Sequence, residues 1–292
     1  MPKTIVKKAF AKLDLGIHIE PGKSKDGFFP VSYLDCQLDI CDELIFEKAN
    51  DGIEIICDDP QVPTDGENFI HQVAQLLMDM SGKKLGAKIT LKKQIPVKAG
   101  FGGGSSDGAA AVLGLCELWG IKVSENDLLE FSKKLGKDFY YSLYGGLSEL
   151  SSVGRIYKIK PIKSNLSFWA VVVVPLDEKP STGWIYENLD TKKIGYNFDK
   201  FKKLKRALVE KDKRGFMENL VNDFEDSVSS HFPVVLEAKG DLADAGVSGK
   251  LMAGAGLSVV GFFDSQKEAE AASNSLRKNS KYRKVFISRT IL

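Results

Sequence analysis

The sequence is organised around one glycine-rich stretch, Pro96-Val-Lys-Ala-Gly-Phe-Gly-Gly-Gly-Ser-Ser-Asp107. Its four glycines fall within five residues, at Gly100, Gly102, Gly103 and Gly104. Glycine loses more backbone entropy on folding than any other residue, so this density is typical of a loop that approaches a ligand closely or adopts positive φ angles. A simple turn needs about one or two glycines, and we therefore predict a binding loop.

A helix is predicted directly after this loop. On a 3.6-residue period, one face carries Ala109, Val112, Leu113, Cys116 and Trp119. Ser105 or Ser106 suits the N-cap of this helix, and Gly120 suits its C-terminal stop. Free N–H groups and the positive end of the helix dipole then meet at the loop, which predicts an anion site. The expected anion is a nucleotide phosphate.

Two familiar phosphate-binding patterns do not fit this loop. The pattern Gly-x-Gly-x-x-Gly meets Ser105 at its last position when counted from Gly100, and Asp107 when counted from Gly102. A P-loop ends in Gly-Lys-Ser/Thr, whereas this loop ends in Gly-Ser-Ser. The upstream segment from Gly16 to Ser24 has five residues between its glycines instead of four, and we interpret its Pro-Gly pair as a turn.

The composition is that of an ordinary folded protein. The chain has 292 residues, 43% hydrophobic and 27% charged, with a net charge of +2. These values indicate one or two domains and give no reason to expect a nucleic-acid or membrane partner. The N-terminus lacks an apolar signal segment. Because the four cysteines lack Cys-x-x-Cys spacing and the three histidines are scattered, we expect no zinc site or disulfide framework, and a cytoplasmic location.

Hydrophobic patterns predict the elements of the first half. Alternation indicates strands over 5–19, 28–38, 44–48, 53–57 and 87–93. Asn50-Asp-Gly52 indicates a hairpin turn, and the short links indicate antiparallel pairing. Asn68 should cap a helix that ends at Ser81-Gly82, and a second helix is expected over 125–135 with Gly136-Lys-Asp138 as its exit.

The second half mixes helices with antiparallel strands. Strands are predicted over 170–174, 257–263 and 284–287, and helices over 236–245 and 267–277. The basic segment 200–206 is interpreted as the solvated face of a further helix rather than as a nucleic-acid site. A second glycine turn is expected over 250–256.

With these residues described, the chain resembles the GHMP kinases, a superfamily of small-molecule kinases. The loop from Pro96 to Ser106 fits the family pattern Pro-x-x-x-Gly-Leu-Gly/Ser-Ser-Ser. Ala11-Lys-Leu-Asp-Leu15 is similar to the first strand of one branch, and Leu135-Gly-Lys-Asp-Phe-Tyr140 is similar to its Leu-Gly-Ala-Asp-Val-Pro segment. Asn222-Asp-Phe-Glu225 and Leu251-Met-Ala-Gly-Ala-Gly256 carry the resemblance into the second half.

The resemblance implies a two-domain α+β fold with the active site in a cleft between the domains. The N-terminal domain, residues 1–156, would be a mixed α/β domain with antiparallel strands, and the C-terminal domain, residues 157–292, a ferredoxin-like α+β domain. It also implies a monomeric or homodimeric kinase that uses ATP and Mg²⁺ on the hydroxyl of a small molecule. The most similar branch acts on a cytidine diphosphate-linked alcohol in isoprenoid precursor biosynthesis.

The resemblance further implies roles for individual residues. The ATP-binding residues would be Pro96, Val97, Lys98, Ala99, Gly100, Phe101, Gly102, Gly103, Gly104, Ser105 and Ser106. Asp138 would orient or deprotonate the acceptor hydroxyl, and Lys12 would stabilise developing charge. A lysine within an apolar strand is costly to bury unpaired, so Asp138 is its expected partner. Gly254 and Gly256 match a third motif near the glycine loop, although a plain turn before a strand would have the same sequence.

Acceptor contacts are predicted at Asp14, Phe28, Phe29, Thr182 and Tyr186. Phe28 keeps an aromatic face for stacking on a base, whereas Phe29 replaces a histidine that reads cytosine in the similar branch. The second aromatic could come from Trp184 or Tyr186. Asp14 replaces an asparagine and could be a substrate ligand, a metal ligand or an ion-pair partner of Lys12. No metal ligands are assigned.

Two alternatives stay open. The acceptor could be another GHMP substrate, such as mevalonate or a sugar. The protein could instead be a nucleotide-binding regulator without turnover, an alternative that the altered residues around Asp138 leave open. The presence of both Lys12 and Asp138 is evidence against a regulator, because a regulator needs neither of them.

Overall fold

The computed structural model describes residues 4–25, 27–247 and 249–292. These residues form an α+β fold, as predicted. In chain order the elements are β1 Ile5–Ile19, β2 Val31–Ala49, β3 Ile53–Cys57, α1 Phe69–Ser81, β4 Gly86–Lys92, α2 Gly103–Trp119, α3 Glu125–Leu135, α4 Lys137–Tyr144, β5 Ser148–Val153, β6 Ile156–Pro161, β7 Trp169–Pro175, α5 Thr182–Glu187, α6 Phe198–Glu210, α7 Lys213–Asn219, β8 Val221–Asn222, α8 Glu225–His231, α9 Val234–Asp244, β9 Gly249–Met252, β10 Val259–Phe263, α10 Gln266–Leu276 and β11 Tyr282–Ile291.

The chain divides into two compact units. The first unit contains β1 as far as Lys12, together with Ile40–Val97 and Gly102–Gly145. The second unit contains Leu13–Asp39, Lys98–Phe101 and Gly146–Leu292. Since the units interleave along the chain, the single boundary between residues 156 and 157 stays a prediction.

In the first unit, β4 lies between β2 and β3. It pairs antiparallel with β2, where Phe46 faces Ile89, and parallel with β3, where Ile55 faces Ile89. The predicted hairpin between 44–48 and 53–57 is therefore wrong. The two strands do run in opposite directions, but β4 is inserted between them from farther along the chain.

The helix α1 has the predicted ends. The side chain of Asn68 accepts a hydrogen bond from the N–H of Ile70 at 2.8 Å, and Gly82 ends the helix with φ of 64°. Left-handed backbone of this kind is open to glycine at little cost. Both predictions are confirmed.

The helix α2 differs from the prediction at its start. Its N-cap is Gly102, with φ of 63°, whereas Ser105 and Ser106 lie buried inside the helix. The apolar face is also wrong at Leu113, which is 57% exposed, because α2 packs through its small residues instead. At Gly114 a Cβ would lie 2.3 Å from Cε2 of Phe46, so only glycine lets β2 and α2 approach. The C-terminal stop at Gly120 is confirmed.

A short helix follows α3 without a loop. Gly136, with φ of 98°, separates α3 from α4, and Asp138 lies in the first turn of α4. The predicted exit from the helix over 125–135 is therefore confirmed at Gly136, whereas Lys137 and Asp138 already belong to α4. Phe139 and Tyr141 are fully buried and fix α4 in place.

The second unit is built on antiparallel strands. β7 lies between β10 and β11, and β9 pairs with the other side of β10. Val171–Val174 are buried at the centre of this sheet, as predicted for 170–174. In α6, Phe201, Leu204 and Leu208 face the core while the lysines between them are exposed or partly exposed, which confirms the solvated basic face. No helix in the described part of the chain is long and apolar enough to cross a membrane.

Candidate active site

The glycine loop has an unusual backbone. Left-handed φ angles occur at every second residue, with 56° at Lys98, 90° at Gly100 and 63° at Gly102. The side chains between them, Ala99 and Phe101, are buried and anchor the loop. Alternation of this kind is found in backbone nests, where successive N–H groups turn toward one anion. A lysine rarely adopts positive φ, so the conformation at Lys98 is imposed by its surroundings.

The end of this loop lies directly on Lys12 and Asp138, within the first unit. Nζ of Lys12 is 3.7 Å from Oδ1 of Asp138. At Gly102 a Cβ would lie 2.8 Å from Cγ of Lys12 and 3.8 Å from Cβ of Asp138. The ion pair expected from the sequence is therefore present, and the backbone of Gly102 packs against it.

Different elements position the two charged groups. The hydroxyl of Ser106 donates to the carbonyl of Phe10 at 2.8 Å, which ties α2 to β1 two residues before Lys12. Asp138 lies at the N-terminal end of α4, where the helix dipole favours negative charge. Lys137, which stands in place of an alanine of the similar branch, has its Nζ 2.5 Å from the same Oδ1. Asp138 thus faces two ammonium groups.

The first unit has a second charged cluster, which was not predicted from the sequence. Nζ of Lys93 lies 2.5 Å from Oδ2 of Asp42 and 2.8 Å from Oδ2 of Asp107. Asp42 also accepts hydrogen bonds from the N–H groups of Gln94 and Ile95. Oδ1 of Asp107 is buried without a hydrogen-bond partner among the described residues.

The surroundings of this cluster shift the pKa values of its members. Burial, the largest cause, raises the pKa of Asp107 to about 7, and nearby Asp42 adds to the rise while Lys93 opposes it. Burial alone would lower the pKa of Lys93, but the charges of the two carboxylates raise it. A signal for Lys93 was available, because it directly follows β4 and continues the buried alternation of Ala87, Ile89 and Leu91.

In the second unit, the turn between β9 and β10 lies against Gly100. At Gly100 a Cβ would lie 2.7 Å from the carbonyl oxygen of Ala253 and 3.5 Å from Cα of Gly256. Gly254 has φ of 59°. Of the two interpretations of the motif around Gly254 and Gly256, the structure supports the turn that approaches the glycine loop.

The residues predicted to contact the acceptor have varied surroundings. Thr182 is the first residue of α5. Phe28 is 50% exposed and Asp14 is buried. Phe29 is nearly buried, and Nζ of Lys23 lies 5.3 Å from the centre of its ring.

The two aromatic residues of α5 have different neighbours. The hydroxyl of Tyr186 is 3.2 Å from that of Tyr33, and its ring meets Phe224 edge-on at 5.0 Å. Trp184 instead packs against His231 and Phe232. Residues two apart on a helix do not share a face, so Trp184 and Tyr186 cannot serve the same site.

Comparison with known proteins agrees with this architecture. Residues 68–147 match the family described as GHMP kinases N terminal domain, and residues 204–281 match GHMP kinases C terminal. The chain belongs to the GHMP kinase family, as its sequence predicted, and it has the two-domain α+β fold of these kinases.

The similar proteins include a particular enzyme of this family. A 4-diphosphocytidyl-2-C-methyl-D-erythritol kinase of Acetivibrio thermocellus is 33% identical, with 99% of this chain and 100% of the relative covered. The enzyme of the same name from Clostridium novyi is 32% identical, with 97% and 99% covered. A crystal structure of 4-(cytidine 5'-diphospho)-2C-methyl-D-erythritol kinase superposes with a TM-score of 0.81 at 26% identity, and 99% and 100% of the two chains are covered.

Proposed function

We propose that this protein transfers the γ-phosphoryl group of ATP to the 2-hydroxyl of 4-diphosphocytidyl-2-C-methyl-D-erythritol, in the cytoplasm, as a step of non-mevalonate isoprenoid biosynthesis. Near-full-length relatives with this activity in their names support the choice of acceptor. The observation that carries the proposal is the Lys12–Asp138 pair against Gly102. A regulator without turnover would need neither side chain.

The two charged residues have complementary roles in this reaction. Asp138 orients the acceptor hydroxyl and takes its proton as the oxygen–phosphorus bond forms and ADP leaves. Lys12 stabilises negative charge on the transferring group. The backbone N–H groups of the glycine loop hold the phosphates of ATP in line with the hydroxyl. These roles agree with a buried lysine beside a partly exposed carboxylate.

The residues present fit a magnesium ion that travels with ATP. No group of three or more His, Cys, Asp and Glu side chains in the described chain could hold a metal ion by itself. Mg²⁺ in kinases is held largely by phosphate oxygens and water, with one or two protein ligands. Ser105, in the first turn of α2, is the candidate protein ligand, and the ion would neutralise phosphate charge.

The acceptor is proposed to be held mainly by stacking of its base. Phe28 offers an exposed ring, and Tyr186 offers a second aromatic side chain with a hydroxyl. Phe29 has no polar atom, so any hydrogen bond that a histidine would give to cytosine is absent. Asp14 and Thr182 complete the proposed acceptor contacts. The protein should therefore discriminate only weakly between cytidine and uridine acceptors.

An acceptor screen that reads ADP release tests the function. The cytidine acceptor should be phosphorylated faster than mevalonate or a sugar, with the uridine analogue close behind. Phe29→His restores a hydrogen-bonding side chain and should raise the preference for cytidine over uridine by about tenfold. Turnover of mevalonate alone, or ATP binding without turnover of any acceptor, would overturn the proposal. A Phe29→His variant with unchanged preference would overturn only the account of the base.

A further inference from the structure

The turn between β9 and β10 has two side-chain attachments within the second unit. Nδ2 of Asn222, a buried residue of β8, donates to the carbonyls of Met252 at 2.8 Å and Gly254 at 2.7 Å. Nζ of Lys179, in the segment before α5, donates to the carbonyl of Ala255. One attachment fixes the turn to a strand, and the other joins it to α5.

Lys179 also contacts the start of α5. Its Nζ donates to Oγ1 of Thr182 at 3.3 Å. An ammonium group has three N–H donors, so it can hold the carbonyl of Ala255 and the hydroxyl of Thr182 together. The side chain therefore links a proposed acceptor contact to the turn.

The other side of the turn meets the glycine loop. Gly256 would place a Cβ 3.2 Å from Cα of Gly100 and 3.3 Å from the carbonyl oxygen of Ala99, so the two backbones are in direct contact. Any displacement of residues 99–100 must be shared by this turn. A continuous path of contacts thus leads from the loop through the turn and Lys179 to Thr182.

We propose that Lys179 is a positioning residue that couples the glycine loop to the acceptor segment at Thr182, so that nucleotide binding orders the acceptor side. The inference rests on the proposed function, because it takes the loop to bind ATP and Thr182 to contact the acceptor. Coupling needs an element that both sites can bias, and the turn between β9 and β10 contacts the loop at Gly100 and is bonded to Lys179 at Ala255.

Hydrogen exchange with a non-hydrolysable ATP analogue tests the coupling. The analogue should slow exchange of the loop amides over 98–104 in the wild type, in Lys179→Arg and in Lys179→Met. It should also slow the amides of α5 by about fivefold or more in the wild type and the arginine variant, but not in Lys179→Met. Lys192→Met, an exposed lysine after α5, is the matched control and should behave as the wild type.

Steady-state kinetics give a second measurement, which a purely structural role of Lys179 would not change. In Lys179→Met the KM for the cytidine acceptor should rise about fivefold or more, while the affinity for ATP measured without acceptor stays close to the wild-type value and the Tm is unchanged, and arginine should restore the KM. Protection of α5 that persists in Lys179→Met, or is absent from the wild type when its loop is protected, would overturn the coupling. A loop that the analogue does not protect would instead contradict the proposed function.

Discussion

Two buried lysines of the first unit differ in what surrounds them. The side chains of Lys12 and Lys93 are each 5% exposed. Lys93 lies within 2.8 Å of Asp42 and Asp107, whose side chains are 0% and 4% exposed. Lys12 lies 3.7 Å from Asp138, whose side chain is 31% exposed. The cluster around Lys93 is closed, whereas the pair around Lys12 has one member that is partly exposed.

The difference shows that burial of a charge does not by itself mark a catalytic group. A closed cluster acts mainly on stability, because the loss of one partner leaves another charge buried and unpaired. A longer ion pair with an exposed member leaves room for a third charged group, such as a transferring phosphoryl group. Substitutions of Lys12 and Lys93 should therefore affect different measurements.

The largest effect is expected at the pair of Lys12 and Asp138. Asp138→Asn should lower kcat by about 10²–10⁴-fold, because an amide cannot accept the proton of the acceptor hydroxyl. Lys12→Met should also lower kcat, and ATP affinity should stay close to the wild-type value in Asp138→Asn. Steady-state kinetics with calorimetry of ATP binding measure both quantities, and Lys8→Met, at an exposed position of β1, is the control.

The double variant tests whether Lys12 and Asp138 act as one catalytic unit. Lys12→Met combined with Asp138→Asn should lose far less than the product of the two single losses, since residues that act as a unit are not additive. Multiplicative losses would contradict the pairing, even though the distance between the two side chains is short.

Lys93→Met should act on stability. It leaves Asp42 and Asp107 buried together without a cation, so the free energy of unfolding in urea should fall by about 3–5 kcal/mol. Lys92→Met is the matched control, since its exposed ion pair with Glu43 is worth less than about 1 kcal/mol. If Lys12→Met destabilised the chain as much as Lys93→Met, the distinction between closed and open clusters would be lost.

The pH dependence of stability is expected to reflect Asp107. Its pKa is raised from 3.8 to about 7 in the folded chain, so the folded state holds the proton more tightly than the unfolded state. The resulting stabilisation is present below the unfolded pKa and is lost as pH rises toward 7. Asp107→Asn should remove this loss, which amounts to about 1.4 kcal/mol per pH unit at most.

Urea unfolding between pH 4 and 8 measures this effect as the difference between wild type and variant. Asp58→Asn, at an exposed position, serves as the control for the loss of one carboxylate. A difference curve for Asp107→Asn that does not change with pH would contradict the burial argument.

Features that depend on neighbouring residues could be predicted from the sequence. The cap at Asn68 and the stops at Gly82 and Gly120 were predicted because each depends on a bond or a φ angle within one helical turn. The position of β4 between β2 and β3 was not predicted. Only a short link joins β2 to β3, and nothing in its sequence indicates that a strand from farther along the chain lies between them.

The candidate site also has some features that could be predicted from the sequence and others that could not. The pairing of Lys12 with Asp138 followed from the cost of burying a lysine and from the family resemblance. The hydrogen bonds of Lys93 to Asp107 and of Lys179 to the carbonyl of Ala255 join residues far apart in the chain. No sequence motif indicates these partners. The inward position of Lys93, directly after β4, could be predicted from the alternation, but its carboxylate partners could not.

The smallest expected effect concerns Gly102, whose backbone packs against Lys12. Gly102→Ala and Gly120→Ala place a side chain on nearly the same left-handed backbone, with φ of 63° and 66°, so the backbone strain should cost each variant about 1–2 kcal/mol of stability. Only at Gly102 does the added Cβ meet Lys12, at 2.8 Å, whereas nothing lies within 4 Å at Gly120. Gly102→Ala should therefore lower kcat by about 10–100-fold through displacement of Lys12, while Gly120→Ala leaves kcat unchanged. Equal kcat values in the two folded variants would mean that the position of Lys12 does not set the rate.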